Sequence, residues 1–195
     1  MSTAHAISTN PMSVINTDVP SPKLGVWLFL ASEIMSFTGL FAAYLVLRLS
    51  NPAWPGSDGH LSVGVGTFNT FLLICSSMTI VMSHAAAQEG CQGPAKAWLL
   101  ATIVLGLAFL GIKGTEYAAK FHHEIFPKTN IFWSCYFTLT GLHGLHVLGG
   151  VITNLWVLSF KKFDRSNTHY LELAGLYWHF VDIVWIFLFP LLYLL

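Results

Sequence analysis

Five stretches of this 195-residue chain are long and apolar enough to cross the hydrocarbon of a membrane, and what lies between them leaves nothing for a soluble domain. A spanning helix needs roughly 20 mainly apolar residues. The windows run from Leu24 to Leu49, Val65 to Ala87, Ala97 to Tyr117, Ile131 to Phe160 and Leu173 to Leu195. In lipid every backbone N–H and C=O has to be bonded within the protein, so runs of this length read as helices. Charged residues make up only 9% of the chain, against about 25% in soluble domains, and mean hydropathy is +0.63. The expected fold is an all-α integral membrane protein, a bundle of five transmembrane helices over residues 23–195, preceded by a polar tail over residues 1–22.

That tail is rich in Ser, Thr, Asn and Pro and lacks both a basic n-region and a short apolar h-region, so it does not read as a signal peptide. Gly and Pro punctuate the chain at Asn51-Pro52-Ala53-Trp54-Pro55-Gly56 and at Gly90-Cys91-Gln92-Gly93-Pro94. Such short connections set sequence neighbours antiparallel. Lys23, Lys96, Lys161, Lys162 and Arg165 fall on the side of the N-terminus, and Arg48, Lys120 and Lys128 on the other. The positive-inside rule then places the N-terminus in the cytoplasm and, after five spans, the C-terminus outside. A formal net charge of +0 with scattered basic residues argues against nucleic acid as a partner. Cys75, Cys91 and Cys135 have no paired spacing and are read as packing residues.

Ionisable groups inside the spans are costly and mark candidate functional positions. They are Glu33, Lys113, Glu116, His143, His146, His179 and Asp182, with His84 near the end of the second span. At about 1.5 Å of rise per residue, Glu33 and Asp182 should share a layer roughly 13 Å in from the N-terminal side. His179 lies one turn from Asp182 on the same face, as a pair or a relay. Lys113, Glu116, His143 and His146 fall in the outer half and are expected to form one hydrogen-bonded group between the third and fourth helices. Within that group Lys113 pairs with Glu116 and snorkels outward.

Two stripes set orientation. Tyr136, Thr140, His143, Gly150 and Asn154 share one helical face, which should look into the bundle. Ser32, Ser36, Gly39 and Ala43 form a small-residue stripe of the kind that lets membrane helices approach closely. Glu33 is open to two readings, a carboxylic acid hydrogen-bonded within the bundle or a proton carrier. His143 and His146 are open to two as well, interhelical hydrogen-bond partners or ligands of a metal or haem. No Glu-x-x-His or His-x3-His pair supplies further ligands opposite them. His122, His123 and Glu124 read as a solvated polar loop before a metal site.

The segments Gly141-Leu142-His143-Gly144-Leu145-His146-Val147 and Tyr177-Trp178-His179-Phe180-Val181-Asp182-Ile183-Val184-Trp185 carry a family resemblance. It is supported by Ser32-Glu33, Phe68-Asn69-Thr70, His84 with Glu89-Gly90, and Glu116-Tyr117. In order and spacing the chain resembles subunit III of the haem-copper terminal oxidases, in the five-helix bacterial form. It has Ala85 where many relatives have a second histidine, and Lys113 near a position often held by a neutral amide.

The resemblance implies a non-catalytic accessory subunit of an aerobic respiratory oxidase that reduces oxygen to water with proton pumping, most simply cytochrome c oxidase. It implies no haem or copper bound by this chain, both being carried by partner subunits. The partners implied are the catalytic subunit I, subunit II and phospholipids, with a larger respiratory supercomplex beyond them. The place implied is the bacterial inner (cytoplasmic) membrane. The roles implied are stabilising the catalytic subunit, binding lipid and assisting proton uptake. The alternatives are subunit III of a ubiquinol oxidase and, from other classes, a haem-binding membrane cytochrome or a small transporter coupled through Glu33 and Asp182.

Overall fold

The structure, a computed structural model, describes residues 21–55, 61–160 and 168–194. The expected polar tail up to residue 20 and the basic residues Lys161, Lys162 and Arg165 lie outside the described residues. Five helices follow in order: α1 Ser21–Ser50, α2 Val63–Gln88, α3 Gln92–His122, α4 Ile131–Phe160 and α5 Thr168–Phe189, the last continued by a π-helical turn, Pro190–Leu194. All five are long and apolar enough to cross a membrane.

The helix ends are set by capping chemistry rather than by where hydropathy falls. At the end of α2, Gly90 takes the left-handed conformation (φ 81°) while its N–H and that of Cys91 return to the carbonyls of Ala87 and Ala86 at 3.0 and 2.9 Å. The same device ends α3, where Glu124 (φ 57°) and Ile125 bond back to Phe121 and Lys120 at 3.1 and 3.0 Å. α3 therefore runs from Gln92 to His122, beyond its apolar window at both ends. Pro94 sits in its first turn, where a missing N–H costs little. α4 opens on Asn130, whose side-chain oxygen accepts the N–H of Trp133 at 2.9 Å. At the far end of α5, Pro190 has no N–H for the α ladder, and the chain widens into the π turn that carries Tyr193 inward.

α2, α3, α4 and α5 close into a ring in which α2 and α4 each pack against both α3 and α5. Lipid gives helices no hydrophobic reason to associate, so close fit has to supply it. Trp178 of α5 provides much of that fit, slotting against two glycines. A Cβ on Gly106 would stand 2.6 Å from its Cη2, and one on Gly150 2.7 Å from its Cε3. The face of α4 carrying Tyr136, Thr140, His143, Gly150 and Asn154 is buried throughout.

α1 stands outside the ring against α5. Its buried face is Leu30, Phe37 and Tyr44, so the contact is made by large side chains at seven-residue spacing. The expectation that Ser32, Ser36, Gly39 and Ala43 bring helices together is corrected here: all four are exposed, and a Cβ on Gly39 would meet nothing within 4 Å. The two serine hydroxyls turn back onto their own helix, to the carbonyls of Phe29 and Ser32 at 2.7 and 3.1 Å. Bulky contacts hold α1 off the ring and leave clefts on both flanks. One, of about 660 Å³, runs between α1 and α5 past Ile34, Phe41, His179 and Phe187. The other, of about 430 Å³, lies among α1, α4 and α5 and is bordered by Phe29, Thr153, Trp156 and Tyr177.

Candidate functional site

The buried polar residues fall into three groups rather than the two layers expected. In the first, Glu33 of α1 reaches across to α4, where its Oε2 lies 3.0 Å from Nε2 of His146. Nδ1 of His146 donates to the Leu142 carbonyl at 2.9 Å, because a carbonyl can only accept, and this fixes what Nε2 can do. One proton must lie between the two side chains, carried either by Glu33 as an acid or by His146 as an imidazolium. Phe37 packs edge-on to the imidazole at 5.1 Å, and the Tyr177 hydroxyl donates to the His146 carbonyl at 3.1 Å. The division of Glu33 from His146 by depth is corrected. Glu33 is 12 residues from the start of α1 and His146 is 14 from the end of the antiparallel α4, which puts both about 18–21 Å in, near mid-membrane.

The second group lies at the opposite end of the ring. Glu116 Oε2 accepts from Lys113 Nζ at 2.7 Å, and Oε1 accepts from Lys120 Nζ at 3.0 Å. Tyr193, delivered by the π turn, donates to Glu116 at 2.9 Å, while its hydroxyl also accepts from Lys113. Lys113 Nζ lies over the rings of Trp185 and Tyr193 at 4.7 and 4.9 Å, and Lys120 Nζ over that of Tyr136 at 4.8 Å. Lys113 does not snorkel: it is buried, held by an aromatic cage and a carboxylate. Nor do Lys113 and Glu116 join the histidines of α4, since His146 pairs with Glu33 and neither nitrogen of His143 has a hydrogen-bond partner. His143 instead packs its ring between Phe109 and Trp185, at 5.7 and 5.1 Å. Lys120 and Tyr193 were missed by sequence reading. The i, i+4 spacing of Glu116 and Lys120 was the available signal, whereas nothing local announces that a proline-induced π turn will bring Tyr193 in.

The third group lies between α2 and α5. His179 and Asp182, expected as a pair one turn apart, are not joined: Nδ1 of His179 meets the Ser77 hydroxyl at 2.8 Å, and neither oxygen of the buried Asp182 has a hydrogen-bond partner. Ser77 lies beside that carboxyl. His84, half-buried, borders a pocket of about 180 Å³ with Glu172 and His179. Glu172 ties α5 to α1 through Lys23 at 2.5 Å, with His169 4.0 Å away. Asn69 and Asn154 are fully enclosed with no side-chain partner. His122, His123 and Glu124 are exposed at the end of α3, and among the described residues no group of three or more His, Cys, Asp or Glu is arranged to hold a metal ion.

These features define a multi-pass helical membrane protein whose buried ionisable groups bind its helices to one another. Comparison with known proteins gives the family. The family model for cytochrome c oxidase subunit III matches residues 15–195. Cytochrome c oxidase subunit 3 of Synechocystis is 41% identical over 176 residues, 88% of this chain and 74% of that protein. The same subunit of Thermostichus vulcanus is 38% identical over 88% of this chain and 86% of its own length. Quinol oxidase subunit 3 of Bacillus subtilis is 32% identical over 98% and 95%. The chain belongs to the cytochrome c oxidase subunit III family, and is a subunit III of a haem-copper oxidase.

Proposed function

We propose that the chain is a non-redox accessory subunit of a cytochrome c oxidase in a bacterial cytoplasmic membrane, with its N-terminus in the cytoplasm, packing against the catalytic subunit I and against subunit II. In this reading haem and copper belong to those partners, and the chain contributes stability, bound phospholipid and support of proton uptake. The observation that carries it is the commitment of the membrane-depth histidines to helix packing. His146 is spent on Glu33 and Leu142, His179 on Ser77, and His143 is wedged between Phe109 and Trp185.

The outer surface supports assembly with partners. The exposed small-residue face of α1 suits close approach by a helix of another chain. The two clefts beside α1 are apolar and elongated, which suits acyl chains. The test is purification from native membranes by a tag on this chain. We expect haem-containing subunits to accompany it, one of them with a soluble dicopper domain, and the separated chain to carry neither iron nor copper in stoichiometric amount. A complex lacking the dicopper domain would make quinol the donor, and metal in the separated chain would overturn the non-redox reading.

A further inference from the structure

The bridge between α1 and α4 leaves one atom over. Oε2 of Glu33 is taken by His146 Nε2 at 3.0 Å, while Oε1 has no hydrogen bond among the described residues and is not enclosed, the side chain being 22% exposed. The tautomer of His146 decides what Oε1 can do. With Nδ1 donating to the Leu142 carbonyl, Nε2 either accepts from Glu33 as a carboxylic acid or donates to it as a carboxylate. In the first case Oε1 is the carbonyl oxygen of the acid, and in the second it carries part of the charge. Either way it is an acceptor, facing outward, that this chain leaves without a donor. The hydroxyls of Ser32, Ser36 and Tyr177 are spent on the carbonyls of Phe29, Ser32 and His146.

The surroundings limit where a donor can come from. The pair lies about 18–21 Å in, out of reach of phospholipid headgroups and bulk water, and acyl chains carry no donor. The cleft of about 430 Å³ comes up beside it, since Phe29 and Gly149 on its border are one turn from Glu33 and His146. An acyl chain filling that cleft would still leave Oε1 bare, so a side chain of another protein is the source that remains. The gap has room for one. On α1, Ser36 lies one turn from Glu33 and is exposed, and a Cβ on Gly39 would meet nothing within 4 Å. On α4, Leu145 beside His146 is 65% exposed.

We propose that the gap between α1 and α4 is the docking groove for a transmembrane helix of a partner subunit, and that this helix brings a hydrogen-bond donor to Glu33 Oε1 at mid-membrane depth. The donor is a neutral one, a hydroxyl, an amide or an indole N–H. Glu33 and His146 together are neutral wherever their shared proton lies, so a cation brought to them would find no balancing charge. The groove rests on the reading of this chain as an accessory subunit, and adds to it the place of contact and the chemistry the partner has to present.

The experiment places a photo-reactive amino acid at Ser36, at Leu145 and, as a control, at Met78 of α2, which is 65% exposed. Native membranes holding the tagged complex are irradiated, and the adducts are identified after purification. We expect Ser36 and Leu145 to be joined to the same transmembrane segment of a co-purifying subunit, with a donor side chain within one turn of the joined residue, and Met78 to yield lipid adducts. Replacing that donor by an apolar residue of similar size should lower the temperature at which the subunit leaves the complex, and should lower it no further in protein that already carries Glu33→Leu. Glu33→Gln, whose amide N–H donates to His146 while its oxygen still accepts, should keep both the adducts and the retention. Oxidase subunits that co-purify while Ser36 and Leu145 give only lipid adducts, or a joined segment with no donor, overturn the groove and leave the accessory-subunit reading standing. Absence of any co-purifying subunit overturns both. Additive losses in the double variant overturn the hydrogen bond to Glu33.

Discussion

Glu33 Oε2 and His146 Nε2 stand 3.0 Å apart across the gap between α1 and α4, joining residues 113 apart in sequence. Since Nδ1 of His146 is already donating to Leu142, the bond needs a hydrogen-bonding side chain at position 33 but not a titrating one. Glu33→Gln should therefore keep assembly, most oxidase turnover and proton pumping. Glu33→Leu leaves a buried nitrogen unpaired at a cost of about 1–3 kcal/mol, and should show earlier loss of the subunit on heating in detergent. Normal assembly without pumping in Glu33→Gln would make Glu33 a proton carrier.

The fit of Trp178 against glycine gives a second expectation. A methyl at Gly150 would press on the indole at 2.7 Å, and Trp178 is fully buried and seated against Gly106 as well, so it has no room to retreat. Gly150→Ala should destabilise the bundle by about 1–3 kcal/mol. Gly39→Ala, where nothing lies within 4 Å, should leave the melting of the subunit unchanged or slightly raised. Comparable losses at the two positions would refute the packing argument.

Charge counting predicts an asymmetry in the cluster on α3. Two buried lysines share the single carboxylate of Glu116. Lys113→Met leaves one cation with one anion and should be tolerated, whereas Glu116→Gln leaves both cations without an anion and should cost about 3–5 kcal/mol. Expression level and thermal stability of the two variants in the same complex provide the readout, with the order Lys113→Met above Glu116→Gln.

Glu124 ends α3 in a conformation that suits glycine. Glu124→Gly should stabilise the protein by about 1 kcal/mol, by removing the clash of a Cβ in the left-handed region. Asn130→Ala, which removes the cap of α4, should cost about 1 kcal/mol. Thermal melting of both variants in one detergent decides the pair of signs.

Five spans were legible because length and apolar content alone define them, and the inward face of α4 was legible because Tyr136, Thr140, His143, Gly150 and Asn154 mark it with polar and small groups. The ends of α3 were not, since Lys96 and Lys120 lower hydropathy where the caps still keep the helix going. The faces of α1 misled for a different reason: both lipid and protein are apolar, so a stripe of small residues shows where a helix could approach but not whether this chain supplies it. The pairing of Glu33 with His146 was hidden by topology. Short loops suggested that α1 would settle on α2, but it lies against α5 and reaches α4. Asp182 and His179 do share a stretch of helix, yet Ser77 from α2 intervenes, and no spacing within one helix can reveal a partner on another.

The span of 113 residues between Glu33 and His146 also has a consequence in time. At about 5–20 residues per second of synthesis, Glu33 is joined to the chain roughly 6–23 s before His146. Throughout that interval α1 carries a carboxyl with no counterpart, and its contacts with α5 lie further in the future still. The first helix made thus cannot complete its contacts until translation is nearly over.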